Sequence, residues 1–520
     1  MKPSLSVVLM GVMFAAAPLS SQQLPRLAVP PQACANLKHL QLTDVRFTEV
    51  VDVADSLPHD KDNDTARTPH CRVTGVIGKS TVFIVILPNS WNQRLLMAGN
   101  GGFAGRLNRG VSANAKDGYL TVSTNTGHEA PVGGGARWAL NDPDRQRDFG
   151  YLAVHNTIVV AKALAKAFYG SEPRYSYFSG CSNGGRQGLM EAQRYPEDFD
   201  GVISGAPAAH MTRTFPSFFK NIRAAFPDPT YFDHPIVTRE NLDLLAAKVL
   251  EKCDNLDGVR DGILGDPRDC QFDVGTIKAC PGDRAAADCL TGAERAVIAR
   301  IYSPATDDSG RVIYPGQPVG GENLRGGWGG WITGRDSALM HDLRVPSPQA
   351  MFMTEAAKYF LFNDSTWDYS RHRGSLVQEA KSMANLLDSD NPDLSRFAGR
   401  NGKLILFHGW SDPALNPLAT IEYYDKVRSR DPKASEYVRL YMQPGVLHCA
   451  GGPGPDDLSW LNPLTKWRET GIAPTRLIAT KRDSTGKTLI SRPLCPYPEG
   501  GVYAGKGDTN NDASFVCRAR

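Results

Sequence analysis

A serine, an aspartate and a histidine, far apart in the chain, each sit in a setting that suits nucleophilic catalysis. Ser182 lies in SGCSNGGRQG, residues 179–188, where Gly180-Cys181-Ser182-Asn183-Gly184 satisfies G-x-S-x-G. That pattern lifts a serine hydroxyl onto a sharp strand-to-helix turn, and flanking glycines point to backbone passing too close for a Cβ. Asp412 lies in KLILFHGWSDPALNP and His448 in YVRLYMQPGVLHCAGG, each just after a run that reads as a buried strand. In such a set the histidine takes the serine's proton, while the aspartate fixes the ring's tautomer and stabilises the imidazolium. Taken singly, each has a plain reading: a glycine-rich turn, a turn-forming Asp before Pro, a surface His on a loop. Three correct contexts together favour the triad.

The elements that must position these residues can be read around them. Thr81 to Leu87, Arg94 to Ala98, Tyr119 to Ser123 and Tyr175 to Ser179 are short runs rich in β-branched and aromatic residues, separated by turn formers. Residues 148–169 show helical apolar periodicity and feed the strand before Ser182, giving helix, strand, tight turn, helix. After FDGVIS (199–204) the pattern breaks up from about Pro207 to Phe397 into Gly-, Asp-, Pro- and Trp-rich sequence, and β-α alternation resumes at Lys403 to Phe407. The expectation is an α/β fold: a hydrolase core over 23–206 and 398–520, interrupted by a lid domain over 207–397. The order Ser, Asp, His is that of α/β hydrolases. In that fold the N–H of the residue after the nucleophile, here Asn183, is one donor to the oxyanion.

The chain has 520 residues, 41% hydrophobic and 22% charged, with 58 basic against 55 acidic residues and a net charge of +3. That is an ordinary globular composition with no run of like charge, which speaks against nucleic acid or an anionic membrane as partner. Residues 1–22 read as a signal peptide: an early lysine, an apolar stretch from Leu5 to about Ala17, then small and polar residues. A buried first helix is the alternative, and the abrupt polar stop argues against it. The expected location is therefore secreted or periplasmic. In an oxidising compartment the ten cysteines, at 34, 71, 181, 253, 270, 280, 289, 449, 495 and 517, read as disulfides, whose connectivity spacing alone cannot give.

Two further stretches carry possible ligands. CDNLDGVRDGIL (253–264) sets Asp254, Asp257 and Asp261 among Gly258 and Gly262. Carboxylates three and four residues apart on a tight loop suit calcium, in a structural role; a solvated acidic turn is the plain alternative. YPGQPVGGENLRGGWGGWITG carries Trp328 and Trp331, followed by the aromatic-rich stretch Tyr359 to Tyr369. These could form a flat slot over an aromatic acyl group or, equally, the core of the lid.

The cysteines beside Ser182 and His448 complete a pattern. Cys181-Ser182, Asp412 and His448-Cys449, with GNGGFAG (99–105), the stretch 181–208, CDNLDGVRDGIL, GWSDPAL and LHC in that order, resemble the tannases and feruloyl esterases across nearly the whole mature chain. The resemblance implies disulfides 34–71, 181–449, 253–270, 280–289 and 495–517. It also implies a lid calcium held by Asp254, Asp257 and Asp261 through side chains and by Val259 and Ile263 through carbonyls. The second oxyanion donor is expected from Gly101 or Gly102, a flexible hairpin turn being the alternative for that loop. The implied activity is hydrolysis of esters of aromatic acids: feruloyl or other hydroxycinnamoyl first, galloyl second, hydroxyethyl terephthalate monoesters third. The partner is thus a small aromatic ester, and the oligomeric state is left open. Two rivals share these residues, an acyltransferase in which an alcohol outcompetes water and a secreted binding protein that has lost turnover.

Overall fold

Parallel strands buried on both faces form the middle of the molecule. The computed structural model describes residues 27–28, 33–54, 66–130, 135–228, 235–334 and 347–519; the expected signal peptide lies outside the described residues. Within them one sheet holds nine strands: β1 (Val45–Val53), β2 (His70–Ile77), β3 (Thr81–Pro88), β4 (Arg94–Ala98), β5 (Leu120–Thr124), β6 (Tyr175–Cys181), β7 (Gly201–Gly205), β8 (Lys403–Gly409) and β9 (Val438–Gln443). Their order is β9-β8-β7-β6-β4-β5-β3-β2-β1. From β9 to β5 neighbours run parallel; β3, β2 and β1 follow antiparallel. Every residue of β5, β7 and β8 is buried, as expected where helices cover both faces. The edge strand β1 instead alternates, with Arg46, Thr48 and Asp52 outward.

The strand stretches read from the sequence all appear, with ends shifted by one or two residues. β1 and β2 are additional. The periodic stretch 148–169 becomes a π turn at Asp148–Leu152 and then helix α1 (Ala153–Tyr169). α1 buries Val154, Ile158, Ala161, Leu164, Ala165 and Phe168 on one face and ends at Gly170, whose φ of 80° suits glycine. α2 (Asn183–Arg194) follows β6 directly.

Between Gly205 and Lys403 no described strand joins the sheet. The expected loss of regular pattern there is corrected by helices α3 (Met211–Ala225), α4 (Arg239–Cys253), α5 (Gly292–Tyr302) and α6 (Pro348–Ala356). α4 and α5 start at Thr238 and Thr291 with reciprocal side-chain caps, a local signal that marks their N-termini. Their apolar faces pool with Phe103, Phe149, Ala414 and Leu415 in a cluster separate from the one beneath the sheet. α7 (Pro417–Arg430) and α8 (Leu461–Thr470) return the chain to the sheet. Two C-terminal hairpins pair Leu477–Arg482 with Thr488–Leu494 and Glu499–Tyr503 with Phe515–Ala519.

All five expected disulfides are formed: Cys34–Cys71, Cys181–Cys449, Cys253–Cys270, Cys280–Cys289 and Cys495–Cys517. No helix among the described residues is long and apolar enough to cross a membrane.

Candidate active site

Ser182 stands between β6 and α2 with φ 64° and ψ −125°, a region that non-glycine residues occupy only when their surroundings hold them there. The hold is visible: Ser182 N–H donates to Gly205 O (2.9 Å) and Ala208 N–H to Ser182 O (3.1 Å). The neighbouring glycines meet a different need. A Cβ on Gly180 would stand 2.5 Å from the Gly184 backbone, and one on Gly185 would stand 2.4 Å from Gly205 O. The sharp turn therefore falls on the serine itself, and the glycines let α2 press against β6 and β7.

β8 and β9 are adjacent, so the loops after them bring Asp412 and His448 together. His448 Nδ1–H donates to Asp412 Oδ2 at 2.7 Å, which leaves Nε2 as the ring's proton acceptor. Asp412 is fully buried and accepts three further bonds: Ala414 N–H (2.8 Å) and Leu415 N–H (2.9 Å) on Oδ1, and His408 Nε2–H (3.0 Å) on Oδ2. Burial alone would raise this carboxyl's pKa, but the charge of His448 and hydrogen bonds from His408 and His448 outweigh it and hold it well below the usual range. His408, at the end of β8, did not emerge from the sequence; its signal is a histidine four residues before the aspartate. The Cys181–Cys449 bond, with Cα atoms 6.0 Å apart, ties the turn carrying Ser182 to the loop carrying His448.

Ser182 and His448 open onto one cleft, whose described lining includes Gly102, Phe103, Asn183, Ala208, Ala414 and Leu415. One wall is α3, through Met211, Thr214, Phe215 and Phe218, spaced for one helix face. Trp331 and Phe352 form another, their rings stacked with centroids 6.3 Å apart, and Trp331 meets His448 edge-on at 5.3 Å. Trp328 instead packs on Tyr302 in the interior of the segment between β7 and β8, and no residue from 359 to 369 lines the cleft. The two sequence readings of the aromatics thus divide, Trp331 facing the cleft and Trp328 the core. Of the oxyanion candidates, Asn183 and Gly102 line the cleft and Gly101 does not.

Asp254, Asp257 and Asp261 lie on the expected loop, closed by Cys253–Cys270. Each spends one carboxylate oxygen within the loop, on the N–H of Gly262 (2.9 Å), Val259 (3.0 Å) and Ile263 (3.1 Å) respectively. Asp261 Oδ2 also pairs with Arg492 at 2.7 Å. Asp257, Val259, Asp261 and Ile263 line a cavity distinct from the catalytic cleft. The donors are all hard oxygens, which fits calcium. The three carboxylates are not drawn into one tight shell. Among the described residues, the set of His, Asp and Glu atoms within 4.8 Å of one another is His155 of α1, Glu191 of α2 and Asp198.

The Tannase and feruloyl esterase family model matches residues 68–518. The chain is 33% identical to an uncharacterized esterase of Xanthomonas campestris pv. campestris, over 93% of this chain and 91% of that one. It is 31% identical to the mono(2-hydroxyethyl) terephthalate hydrolase of Piscinibacter sakaiensis, over 86% and 85% of the two chains. The crystal structure of feruloyl esterase B from Aspergillus oryzae superposes with a TM-score of 0.82 at 25% identity, over 94% of this chain and 99% of that one. An α/β-hydrolase sheet, a serine on a strained turn sharing a cleft with a histidine bonded to a buried aspartate, and a family match over most of the length agree: the chain belongs to the tannase and feruloyl esterase family and is a carboxylic ester hydrolase.

Proposed function

We propose that this esterase is secreted and cleaves esters of hydroxycinnamic acids, feruloyl esters first, with Ser182 as nucleophile, His448 as general base and acid, and Asp412 as its partner. Ser182 Oγ attacks the ester carbonyl and its proton passes to His448 Nε2. The imidazolium is stabilised by the buried Asp412 carboxylate. Negative charge forming on the carbonyl oxygen meets the N–H groups of Asn183 and Gly102. Collapse expels the alcohol, which takes the proton from His448. Water then attacks the acyl-serine by the same route, releasing the acid and restoring Ser182.

The lining of the cleft carries the choice of acyl group. Apart from Ser182 and His448, its described polar groups are the Asn183 amide, the Thr214 hydroxyl and the indole N–H of Trp331. Asn183 is committed to Asn100 O (3.1 Å) and Arg186 (2.7 Å), and the Thr214 hydroxyl donates to His210 O (2.9 Å). Galloyl carries three hydroxyls that would find few partners there, and a terephthalate monoester would place a carboxylate against aromatic rings with no described cation. A methoxylated, singly hydroxylated cinnamoyl ring suits Phe103, Phe215, Phe218, Trp331 and Phe352 best. The test is kcat/KM for methyl ferulate, methyl gallate and mono(2-hydroxyethyl) terephthalate. We expect that order, and preference for gallate or terephthalate contradicts it.

The family likeness and the oxygen donors support a structural calcium held by Asp254, Asp257 and Asp261 with the carbonyls of Val259 and Ile263. It would neutralise the acidic loop and fix its shape, outside the ester chemistry.

A further inference from the structure

Arg186, on the first turns of α2, is fully buried. Among the described residues no carboxylate is hydrogen-bonded to its guanidinium. Nε donates to Asn183 Oδ1 (2.7 Å), Nη1 to Gly150 O (2.9 Å) and Leu387 O (3.3 Å), and Nη2 to Phe149 O (2.9 Å). The group also lies over the Phe149 ring, 4.8 Å from its centroid. Burial pulls its pKa down to about 10, against the opposing charge of Asp388. A cation kept here at such cost needs a use beyond filling space.

That use is visible at Asn183. Guanidinium nitrogens only donate, so the atom of Asn183 facing Arg186 must be the amide oxygen, and the amide NH₂ then faces the other way. There it donates to Asn100 O at 3.1 Å. One turn further along α2, Gln187 Oε1 accepts the N–H of Asn100 at 2.9 Å. Residues i and i+4 of the nucleophile helix therefore grip both backbone groups of Asn100. Asn100 is followed by Gly101 and Gly102, and α2 approaches this loop so closely that a Cβ on Gly99 would meet Gly184 Cα at 2.7 Å. One donor of the oxyanion hole is the N–H of Asn183 and the other belongs to the loop that the Asn183 side chain holds.

We propose that Arg186 is a positioning residue for the oxyanion hole: by fixing the orientation of the Asn183 amide it makes α2 clamp Asn100, which sets the Gly102 N–H against the Asn183 N–H. The proposal rests on the Ser182 esterase reading. Two donors a fixed distance apart stabilise the tetrahedral intermediate and contribute little to substrate binding, so a loosened clamp costs kcat and leaves KM.

The experiment is a double-variant cycle on methyl ferulate hydrolysis with Arg186→Lys and Asn183→Ala, the latter keeping the main-chain N–H. Arg186→Lys should lower kcat at least tenfold with KM within about twofold, and weaken phenylboronic acid, which mimics the tetrahedral state at the serine, by a similar factor. In the Asn183→Ala background the same Arg186→Lys change should cost under about twofold, because its route of action is already cut. An equal cost in both backgrounds, or a loss carried by KM, overturns the proposal. If thermal melting shows Arg186→Lys unfolded, Gln187→Met tests the clamp alone: lower kcat at constant KM supports it, and wild-type kcat overturns it. A wild-type protein that neither hydrolyses the ester nor binds the boronic acid overturns the Ser182 reading, and the clamp falls with it. Normal wild-type behaviour with an additive cycle removes the clamp alone.

Discussion

Asp412 accepts hydrogen bonds from four groups, and this explains how an acid can stay ionised where water cannot reach it. A carboxylate held low in pKa cannot take the proton from His448, so in the proposed mechanism it serves as a fixed negative charge beneath the imidazolium. The second titratable group near the site does the opposite. His128 is buried, stacks on Trp138 with centroids 3.7 Å apart, and donates from Nε2 to the carbonyl of Phe103, the residue after Gly102. Burial, which penalises its charged form, pushes its pKa down to about 4. Between that value and the unfolded value of about 6.5, the unfolded chain binds a proton that the folded chain refuses. Stability is therefore intact above that window and lost as pH falls through it, by on the order of 3 kcal/mol. His128→Gln, which can keep a donor to Phe103, should lose less Tm than wild type between pH 6.5 and pH 4; equal slopes would remove His128 as the cause.

At the scale of elements, the Cys181–Cys449 bond joins β6 to the loop after β9 across a sequence separation of 268 residues. Loop-closure entropy gives about 6 kcal/mol for a loop so long, against about 3 kcal/mol for the 22-residue separation of Cys495–Cys517. Its position matters as much as its length, since displacing the base by about 1 Å can cost on the order of a hundredfold in rate. Cys181→Ala with Cys449→Ala should lose kcat at temperatures where the protein remains folded, as judged by near-ultraviolet circular dichroism. Cys495→Ala with Cys517→Ala should lower Tm with no matching loss of kcat. Similar kcat in the two double variants would mean that the first bond acts on stability alone. The catalytic loops were legible in the sequence because each joins a buried β run to a turn with strict residue demands. β1 and β2 were not: VRFTEVVDV mixes Arg46, Glu49 and Asp52 into its alternation, and Arg72 of β2 spends its charge on Glu49 of β1 (3.1 Å), a contact no local pattern announces. The acyl wall was illegible for another reason. Met211, Phe215 and Phe218 have the same apolar spacing whether a helix faces core or cleft, and Trp328 and Trp331, three residues apart, diverge because only one turns toward His448.

For the whole molecule, the apolar lining of the cleft belongs to one cluster, which joins the segment between β7 and β8 to Phe103, Ala414 and Leu415, and not to the cluster beneath the sheet. In the proposed mechanism the core supplies the nucleophile, acid, base and oxyanion donors, while α3, Trp331 and Phe352 supply the acyl wall, so chemistry and substrate choice can be altered separately. A calcium ion in the Asp254 to Ile263 loop would bind the folded state alone and add to its stability by mass action. Chelation should then lower Tm while leaving kcat near its starting value at temperatures well below melting, with calcium found by elemental analysis of the untreated protein. An unchanged Tm together with no bound calcium would contradict the metal. The central claim is that an aromatic acyl group passes through a covalent bond to Ser182, and the most direct measurement is rapid acid quench of the enzyme with 4-nitrophenyl ferulate, followed by peptide mass mapping. The expected result is a feruloyl mass on the peptide containing Ser182, and loss of both that adduct and hydrolysis in Ser182→Ala. An adduct on another residue, or hydrolysis persisting in Ser182→Ala above about a hundredth of the wild-type rate, would contradict it.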